Sequence, residues 1–311
     1  MKKNIIAALC LLAGALAFSA HADEIGPNFK QARKFMKEEN LTFTATPTKA
    51  FQQSAVVVFG EGSPVSNPKS RAQRRATAIT AAKVAAQRRL AELLKGVSIV
   101  SETTVKNSML ESDIIRTTVN AFIQGAEVAF QEYSDADDSA IVILRMNMTG
   151  ENSFAAKMYE KILAEPGFRS ELEKPAYAPA TPPSALPAAV PPQADTAPAV
   201  FDGLVIDATA FNFRPALVNR IFTPKGEILY DPAKISQKVL VENGCGEYTN
   251  SVDKARAALG KRGVKNPLVV KASGTVNPAD LQVSDTVASS IFMANQNSGF
   301  MADARVAFVL R

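Results

Sequence analysis

The side chains that most often carry out catalysis are scarce in this sequence of 311 residues, which contains one histidine, two cysteines and no tryptophan. Histidine supplies the general base near neutral pH and is the commonest ligand of transition metals. The one histidine is His21, at the end of a segment that we expect to be removed on export. The mature chain would then have no Ser-His-Asp triad, no Cys-His pair and no metal site built on histidine.

The first 22 residues have the pattern of a secretory signal peptide. Lys2 and Lys3 precede an apolar run over residues 5–18, and Ala20 and Ala22 are the small residues of a cleavage site. The run is shorter than the ~20 apolar residues that a transmembrane helix needs. We therefore expect cleavage after Ala22 and a periplasmic protein, either free or associated with the outer membrane.

The two cysteines have different expected fates. Cys10 lies inside the apolar run with Leu9 before it, which does not match the lipid-modified cysteine of a lipoprotein. Cys245 would then be the one thiol of the mature chain, in an oxidising compartment and without an intramolecular partner. We favour a buried thiol over an exposed one that is free to pair between molecules, because free cysteine is among the most buried residue types.

A run of basic side chains lies on a helix predicted over residues 69–95. Apolar residues, mostly alanine, recur on it at three- and four-residue steps, and Gly96 ends it. The basic residues opposite or flanking this apolar stripe are Arg71, Arg74, Arg88, Arg89 and Lys95. They are candidates for contact with anionic lipid headgroups, polysaccharide or an acidic partner. The simpler interpretation is the solvated outer face of a surface helix.

The acidic residues Asp135, Asp137 and Asp138 lie close together in a predicted hairpin turn. They lack the glycine and the distal glutamate of an EF-hand calcium loop, so we interpret them as a solvated turn. A hydrolase that uses only carboxylates needs two acids flanking its substrate, and no such pair stands out. We therefore predict a protein that is not an enzyme and has no cofactor or metal.

A stretch rich in proline and alanine divides the chain, because nine of the 18 prolines lie between residues 166 and 198. Proline lacks an amide donor and fixes φ, which disfavours helices and central strands. The fold class expected is α+β, with two small layered domains joined by this Pro/Ala-rich spacer. The segments expected are a signal peptide (1–22), a helical segment (23–50), an α+β domain (51–165), the linker (166–200) and a second α/β or α+β domain (201–311).

Hydrophobic periodicity and turn residues predict the elements of both domains. The first should contain strand 55–59, helix 69–95, strand 97–105, helix 111–123, hairpin strands 126–133 and 140–148, and helix 154–163. The second should contain strands 204–210, 218–222, 227–230, 267–272 and 304–310, and helices 251–259 and 284–295. A charged helix over 28–39 is assigned to neither domain.

The segment 71–148 carries a resemblance to a known family. The similarity lies in the runs 71–76 and 81–92 of the alanine-rich helix, in the strand residues 103–105, and in the start of the hairpin at 125–128. This segment resembles the LPP-twenty lipoprotein family, which includes flagellar basal-disk outer-membrane lipoproteins. The resemblance implies a non-enzymatic envelope protein that assembles into rings or disks or lies on the outer membrane. The lipid-modified cysteine of that family is missing, and the second domain is additional.

These observations predict an exported, non-enzymatic structural or assembly protein of the bacterial cell envelope, with an association with the flagellum left open. The expected partners are other envelope proteins and further copies of the chain, with peripheral contact to the outer membrane. Nucleic acid is not expected, because loss of Lys2 and Lys3 lowers the formal charge from +5 to +3. The alternatives are a periplasmic module that binds anionic lipid or polysaccharide through helix 69–95, and a carboxylate-dependent hydrolase.

Overall fold

A computed structural model describes residues 25–164 and 200–311, and within them it shows an α+β fold, which confirms the predicted fold class. The predicted signal peptide and residues 166–199 of the predicted linker lie outside the described residues. In these two ranges no helix is long and apolar enough to cross a membrane.

The described chain forms two units, which we call the first unit (25–164) and the second unit (200–311). The helices are α1 (Lys30–Glu38), α2 (Pro47–Gln53), α3 (Arg71–Lys95), α4 (Val105–Glu111), α5 (Asp113–Gln124), α6 (Phe154–Ala164), α7 (Gln237–Asn243), α8 (Val252–Lys261) and α9 (Asp285–Ser298). The strands of the first unit are β1 (Ala55–Gly62), β2 (Ser98–Val100), β3 (Thr103–Thr104), β4 (Glu127–Ser134) and β5 (Ser139–Asn147). Those of the second unit are β6 (Gly203–Asp207), β7 (Ala216–Val218), β8 (Ile221–Phe222), β9 (Ile228–Tyr230), β10 (Glu247–Thr249), β11 (Pro267–Lys271), β12 (Gly274–Asn277), β13 (Asp280–Gln282) and β14 (Val306–Val309).

The first unit is built on an antiparallel sheet of order β1-β5-β4, and helix α3 packs on one face of it. Glycines of β1 allow this packing to be close. A side chain at Gly60 would collide with the backbone of Ala82 and Ala86, and one at Gly62 would lie 2.7 Å from the carbonyl oxygen of Ala78. The small alanine side chains of α3 therefore face glycines of β1, and this lets the helix and the strand approach closely.

The opposite face of the same sheet is covered by α1, the charged helix that the sequence left unassigned. Phe29, Ala32 and Met36 are buried against Ile141 and Ile143 of β5. The first turn of α1 has no side-chain cap of its own. Instead, the Glu132 carboxylate of β4 accepts a hydrogen bond of 2.8 Å from the Ala32 amide. A carboxylate at this end of a helix is favoured by the helix dipole, so α1 belongs to the first unit.

The predicted strand over 97–105 is wrong in its second half. Ser101 has a positive φ of 52°, and the chain turns there between the short strands β2 and β3. The Thr104 side chain then accepts a hydrogen bond from the Asn107 amide and begins α4. The Ser112 side chain begins α5 in the same way, so the helix predicted from 111 starts at 113. Side-chain capping overrides the β-branched composition of this segment.

The second unit contains a parallel sheet of order β10-β14-β6-β11, with α8 on one face. A smaller sheet of order β12-β13-β8-β9 lies beside it. The strand predicted over 218–222 is divided into β7 and β8. Between them, the Asn219 side-chain amide donates to the carbonyl oxygen of Ala279, and both the backbone amide and the guanidinium of Arg220 donate to the Asp280 carboxylate of β13. Helix α7 and strands β10, β12 and β13 were not predicted, since each has seven residues or fewer.

Backbone and core both continue from one unit into the other. Strand β2 of the first unit pairs in parallel with β7 of the second, with Ser98 opposite Ala216 and Val100 opposite Val218. The Tyr159 hydroxyl of α6 donates to the carbonyl oxygen of Leu217. A single hydrophobic cluster contains buried residues from both units. The two units are therefore packed together as one body over the described residues.

A buried ion pair lies at this junction. The Arg220 guanidinium is 2.8 Å from the Asp280 carboxylate, and both side chains are at most 1% exposed. The same carboxylate accepts hydrogen bonds from the Ser101 hydroxyl of the first unit, at 3.1 Å, and from the Asn277 amide, at 2.7 Å. Arg220 also donates to the Ser101 hydroxyl. A residue of the first unit is thus part of the hydrogen-bond network that satisfies a buried charge of the second.

We predict that Gly60→Ala lowers the free energy of unfolding by ~1–3 kcal/mol, because its methyl group forces α3 away from β1. Gly260→Ala is the matched control. Gly260 lies in helix α8 with open space around its Cα, so the change should stabilise the protein by ~1 kcal/mol. Urea unfolding followed by circular dichroism measures both. Equal effects of the two variants would contradict the close packing of α3.

We also predict that Arg220→Met destabilises the protein by ~3–5 kcal/mol, because it leaves the Asp280 carboxylate buried without its ion-pair partner. Arg256→Met, at an exposed position of α8, should change the stability by less than ~0.5 kcal/mol. Thermal unfolding of the two variants provides the comparison. A loss below ~1 kcal/mol for Arg220→Met would show that the ion pair does not join the units.

Candidate functional site

The basic residues predicted to contact an anionic surface make contacts within the chain. Arg71 lies 2.8 Å from the Asp135 carboxylate, and Arg74 pairs with Asp138. Lys95 lies 2.8 Å from Glu92, one turn earlier on α3. These pairs are partly exposed, so each contributes little to stability, but they lower the positive charge that the helix offers to a ligand.

Arg88 and Arg89 complete the predicted set. Arg89 donates a hydrogen bond of 3.0 Å to the carbonyl oxygen of Phe59, and its guanidinium lies 4.3 Å from the centre of the Phe59 ring. Through this hydrogen bond and this cation–π contact, Arg89 of α3 packs against β1. Arg88 is exposed on α3 and makes no hydrogen bond or ion pair to the residues that the structure describes.

The acidic turn between β4 and β5 is the partner of this basic helix. Asp138 has a positive φ of 51°, which a short polar residue tolerates in a tight turn. Its carboxylate accepts hydrogen bonds from the Tyr133 hydroxyl and from Arg74, and these contacts lower the pKa of Asp138. Within residues 25–164 and 200–311 no group of three or more His, Cys, Asp or Glu side chains could hold a metal ion.

Cys245, the predicted free thiol, is 1% exposed and lies in a cluster of tyrosines. Its sulfur is 3.0 Å from the Tyr248 hydroxyl and 3.8 Å from the carbonyl oxygen of Ala216. The Tyr230 hydroxyl donates to the carbonyl oxygen of Cys245 itself. Burial raises the pKa of the Cys245 thiol, so the reactive thiolate is disfavoured at neutral pH. The thiol is a packed core group, as the favoured interpretation predicted.

The sequence did not predict a groove of about 810 Å³ that lies beside helix α5. We call it the α5 groove. It lies between α5, the start of β4, the end of β5 and one side of α6. Its apolar floor is formed by Ile114, Ala121, Phe122, Ala126 and Met146.

Packing below the floor fixes the shape of the α5 groove. Ile115 and Val119 hold α5 against the core and are fully buried. The Phe122 ring meets the buried Phe154 ring edge to face, with 5.7 Å between the ring centres. Ile114 lies on the outer side of α5 and remains 51% exposed. The apolar floor is therefore supported by packed core residues, and its outer surface is exposed to solvent.

Charged side chains of both signs stand at the rim of the α5 groove. Asp113 pairs with Arg116 on α5, and Lys157 lies 3.0 Å from the Glu160 carboxylate on α6. Lys161 also lines the groove, and within the described residues no carboxylate lies within ion-pair distance of it. Arg145 and Glu127 line the groove as well, and neither forms an ion pair among the described residues. The rim therefore presents two cations, Arg145 and Lys161, and the carboxylate of Glu127 to a bound group.

Two more exposed apolar residues lie on elements next to α5 in the chain. Leu110 is 80% exposed at the end of α4, and Val128 is 38% exposed at the start of β4. Sheet order places β4 at an edge, so its outer side has no neighbouring strand among the described residues. The sequence contains an indication of this exposed apolar surface: α5 carries Ile114 in addition to the apolar residues that it buries. A stripe of that width exceeds what one buried helix face needs.

We predict that Cys245 in the native protein reacts with Ellman's reagent or iodoacetamide only as fast as the chain unfolds. Peptide mass spectrometry follows labelling at Cys245 itself, and urea should release the full reactivity. Ser289→Cys, at an exposed position of α9, is the positive control and should react within seconds to minutes. Rapid labelling of Cys245 without denaturant would show that the thiol is accessible.

Comparison with known proteins bears on the second unit. Residues 203–311 match a family model described as the second domain of Tp0624 of Treponema pallidum. The match begins at the first residue of β6 and ends at the end of the chain. No curated protein matches the chain. The second unit is thus similar to one domain of a Treponema pallidum protein.

Proposed function

We propose that this protein is an exported, non-enzymatic assembly protein of the bacterial cell envelope that holds a protein partner in the α5 groove. The observation that carries the proposal is the open apolar floor at Ile114 and Phe122 on a rigid support. An apolar surface of this kind, rimmed by polar groups, is typical of a site where another protein packs.

The shape of the α5 groove favours a protein segment over a small molecule. A small ligand is usually enclosed on most sides, whereas Ile114 on the groove floor stays half-exposed. An extended or helical segment of a partner can cover an open groove of this kind.

The sequence supports the cellular setting of the proposal. The signal-peptide pattern of residues 1–22 favours export, and cleavage after Ala22 would release the chain into the periplasm. The resemblance of residues 71–148 to the LPP-twenty family favours an assembly role at the envelope over catalysis. Partners are therefore expected among envelope proteins, further copies of the chain included.

The two alternatives are less well supported by the contacts. Binding to anionic lipid or polysaccharide through α3 would have to compete with the pairs that Arg71 and Arg74 make with the acidic turn. A hydrolase would need two carboxylates directed at one substrate. Of the two acids on the α5 groove, Asp113 pairs with Arg116 and its side chain is 84% exposed.

We predict that Ile114→Asp releases the protein from envelope complexes, because a charge on the apolar floor opposes docking. Native gels of solubilised envelopes should show the parent chain in a high-mass band and the variant as free protein. Val65→Asp is the control, since Val65 is 50% exposed, matching Ile114, and lies outside the α5 groove. The proposal fails if Ile114→Asp migrates with the parent chain, or if the parent chain is itself found only as free protein.

A further inference from the structure

A second exposed apolar surface lies on helix α9 of the second unit. Ala288, Ile291 and Ala294 anchor one side of α9 in the core. Phe292 and Met293 lie on its outer side and are 56% and 60% exposed. Adjacent large apolar side chains at this exposure are unfavourable in water, so a partner surface is expected to cover them.

Charge on α9 is limited to one residue, Asp285, in its first turn. Asp285 precedes Phe292 by seven residues, which places both on the same side of the helix, about 10.5 Å apart along its axis. The exposed side of α9 therefore presents a carboxylate two turns before an apolar pair. Residues at i and i+7 share one helix face, so the carboxylate and the apolar pair can contact the same partner surface.

The α5 groove is complementary to this pattern. Its floor offers Ile114 and Phe122 to an apolar pair, and its rim offers Lys161 to a carboxylate. Lys157 lies one turn before Lys161 on α6, on the same side of the helix, and also lines the groove. The two surfaces thus match in both hydrophobicity and charge.

We propose that α9 of one copy of this chain docks in the α5 groove of a second copy. The inference rests on the proposed function, since it names a further copy of the chain as the partner held in the groove. Phe292 and Met293 cover the floor at Ile114 and Phe122, and Asp285 approaches Lys161.

The contact is head to tail, because the groove is on the first unit and α9 is on the second. Each copy in a contact keeps one unused surface, a groove at one end and an α9 at the other. Such heterologous contacts continue from copy to copy until the assembly closes on itself or grows as an open chain. Self-association should therefore proceed beyond a dimer as the protein concentration rises.

The test is a mixing experiment followed by light scattering after size exclusion. Ile114→Asp removes the groove surface and Phe292→Asp removes the α9 surface, and both positions are exposed enough for the variants to fold. Each variant alone should stay a monomer, with self-association at least about tenfold weaker than in the parent chain. An equimolar mixture should form a dimer and nothing larger, because one intact groove and one intact α9 remain.

Charge reversal provides a second readout of the same contact. Lys161→Glu and Asp285→Lys should each weaken self-association several-fold. In a mixture of the two variants, the lysine introduced at position 285 of one copy can pair with the glutamate introduced at position 161 of the other, which should restore one contact. Val65→Asp should associate like the parent chain. Circular dichroism and melting temperatures establish that each variant is folded.

The outcomes separate this inference from the proposed function. If Phe292→Asp associates like the parent chain while Ile114→Asp is released from envelope complexes, the groove holds another protein and self-docking is overturned. A parent chain that is monomeric at every concentration also overturns self-docking. If the mixed variants form no dimer, the contact is not head to tail and the inference fails. If Ile114→Asp has no effect on either assay, both proposals fail.

Discussion

A carboxylate that is fully withdrawn from water must be neutralised and hydrogen-bonded where it lies, and Asp280 meets this condition with groups from both units. Arg220 supplies the opposite charge, Asn277 supplies an amide, and Ser101 reaches in from the first unit. Burial of the Asp280 carboxylate therefore constrains the backbone as well as the side chains around it. Ser101 meets the carboxylate from a turn of left-handed conformation, and Arg220 lies between β7, which pairs with β2, and β8.

Apolar and aromatic contacts also pack the first unit against the second. Phe51 of α2 meets the Tyr248 ring of the second unit, with 5.1 Å between the ring centres. Tyr248 in turn stacks on Phe308 of β14 and covers Cys245. Because these groups are packed on all sides, the α5 groove and the exposed side of α9 are held in a fixed relation. A fixed relation is what the proposed head-to-tail assembly needs, since every copy must present both surfaces at the same angle.

The local signals of the sequence predicted much of the fold. Periodicity and Gly96 located the long helix α3, and the Asp-rich turn located the hairpin of β4 and β5 within two residues. These elements depend on contacts between near neighbours in the chain. The strand predicted over 97–105 failed because the chain turns at Ser101 and Thr104 caps α4. Elements α7, β10, β12 and β13 have three to seven residues each, too few for a hydrophobic period to show.

The candidate sites were predicted less well, and for a physical reason. The sequence shows which side chains of α3 are basic, but the carboxylate partners of Arg71 and Arg74 lie 64 residues later in the chain, at Asp135 and Asp138. Pairing over such separations is decided by the packing of whole elements, which periodicity does not encode. The α5 groove has the same origin, since its walls come from α5, β5 and α6. The burial of Cys245 could be predicted, because it follows from the residue type alone.

The two described units should unfold as one cooperative body, and calorimetry tests this most directly. Differential scanning calorimetry of the protein should give a single transition, with a calorimetric enthalpy equal to the van't Hoff enthalpy. Two resolved transitions, one for each unit, would contradict the account, because the Asp280 network and the shared core would then not join the units.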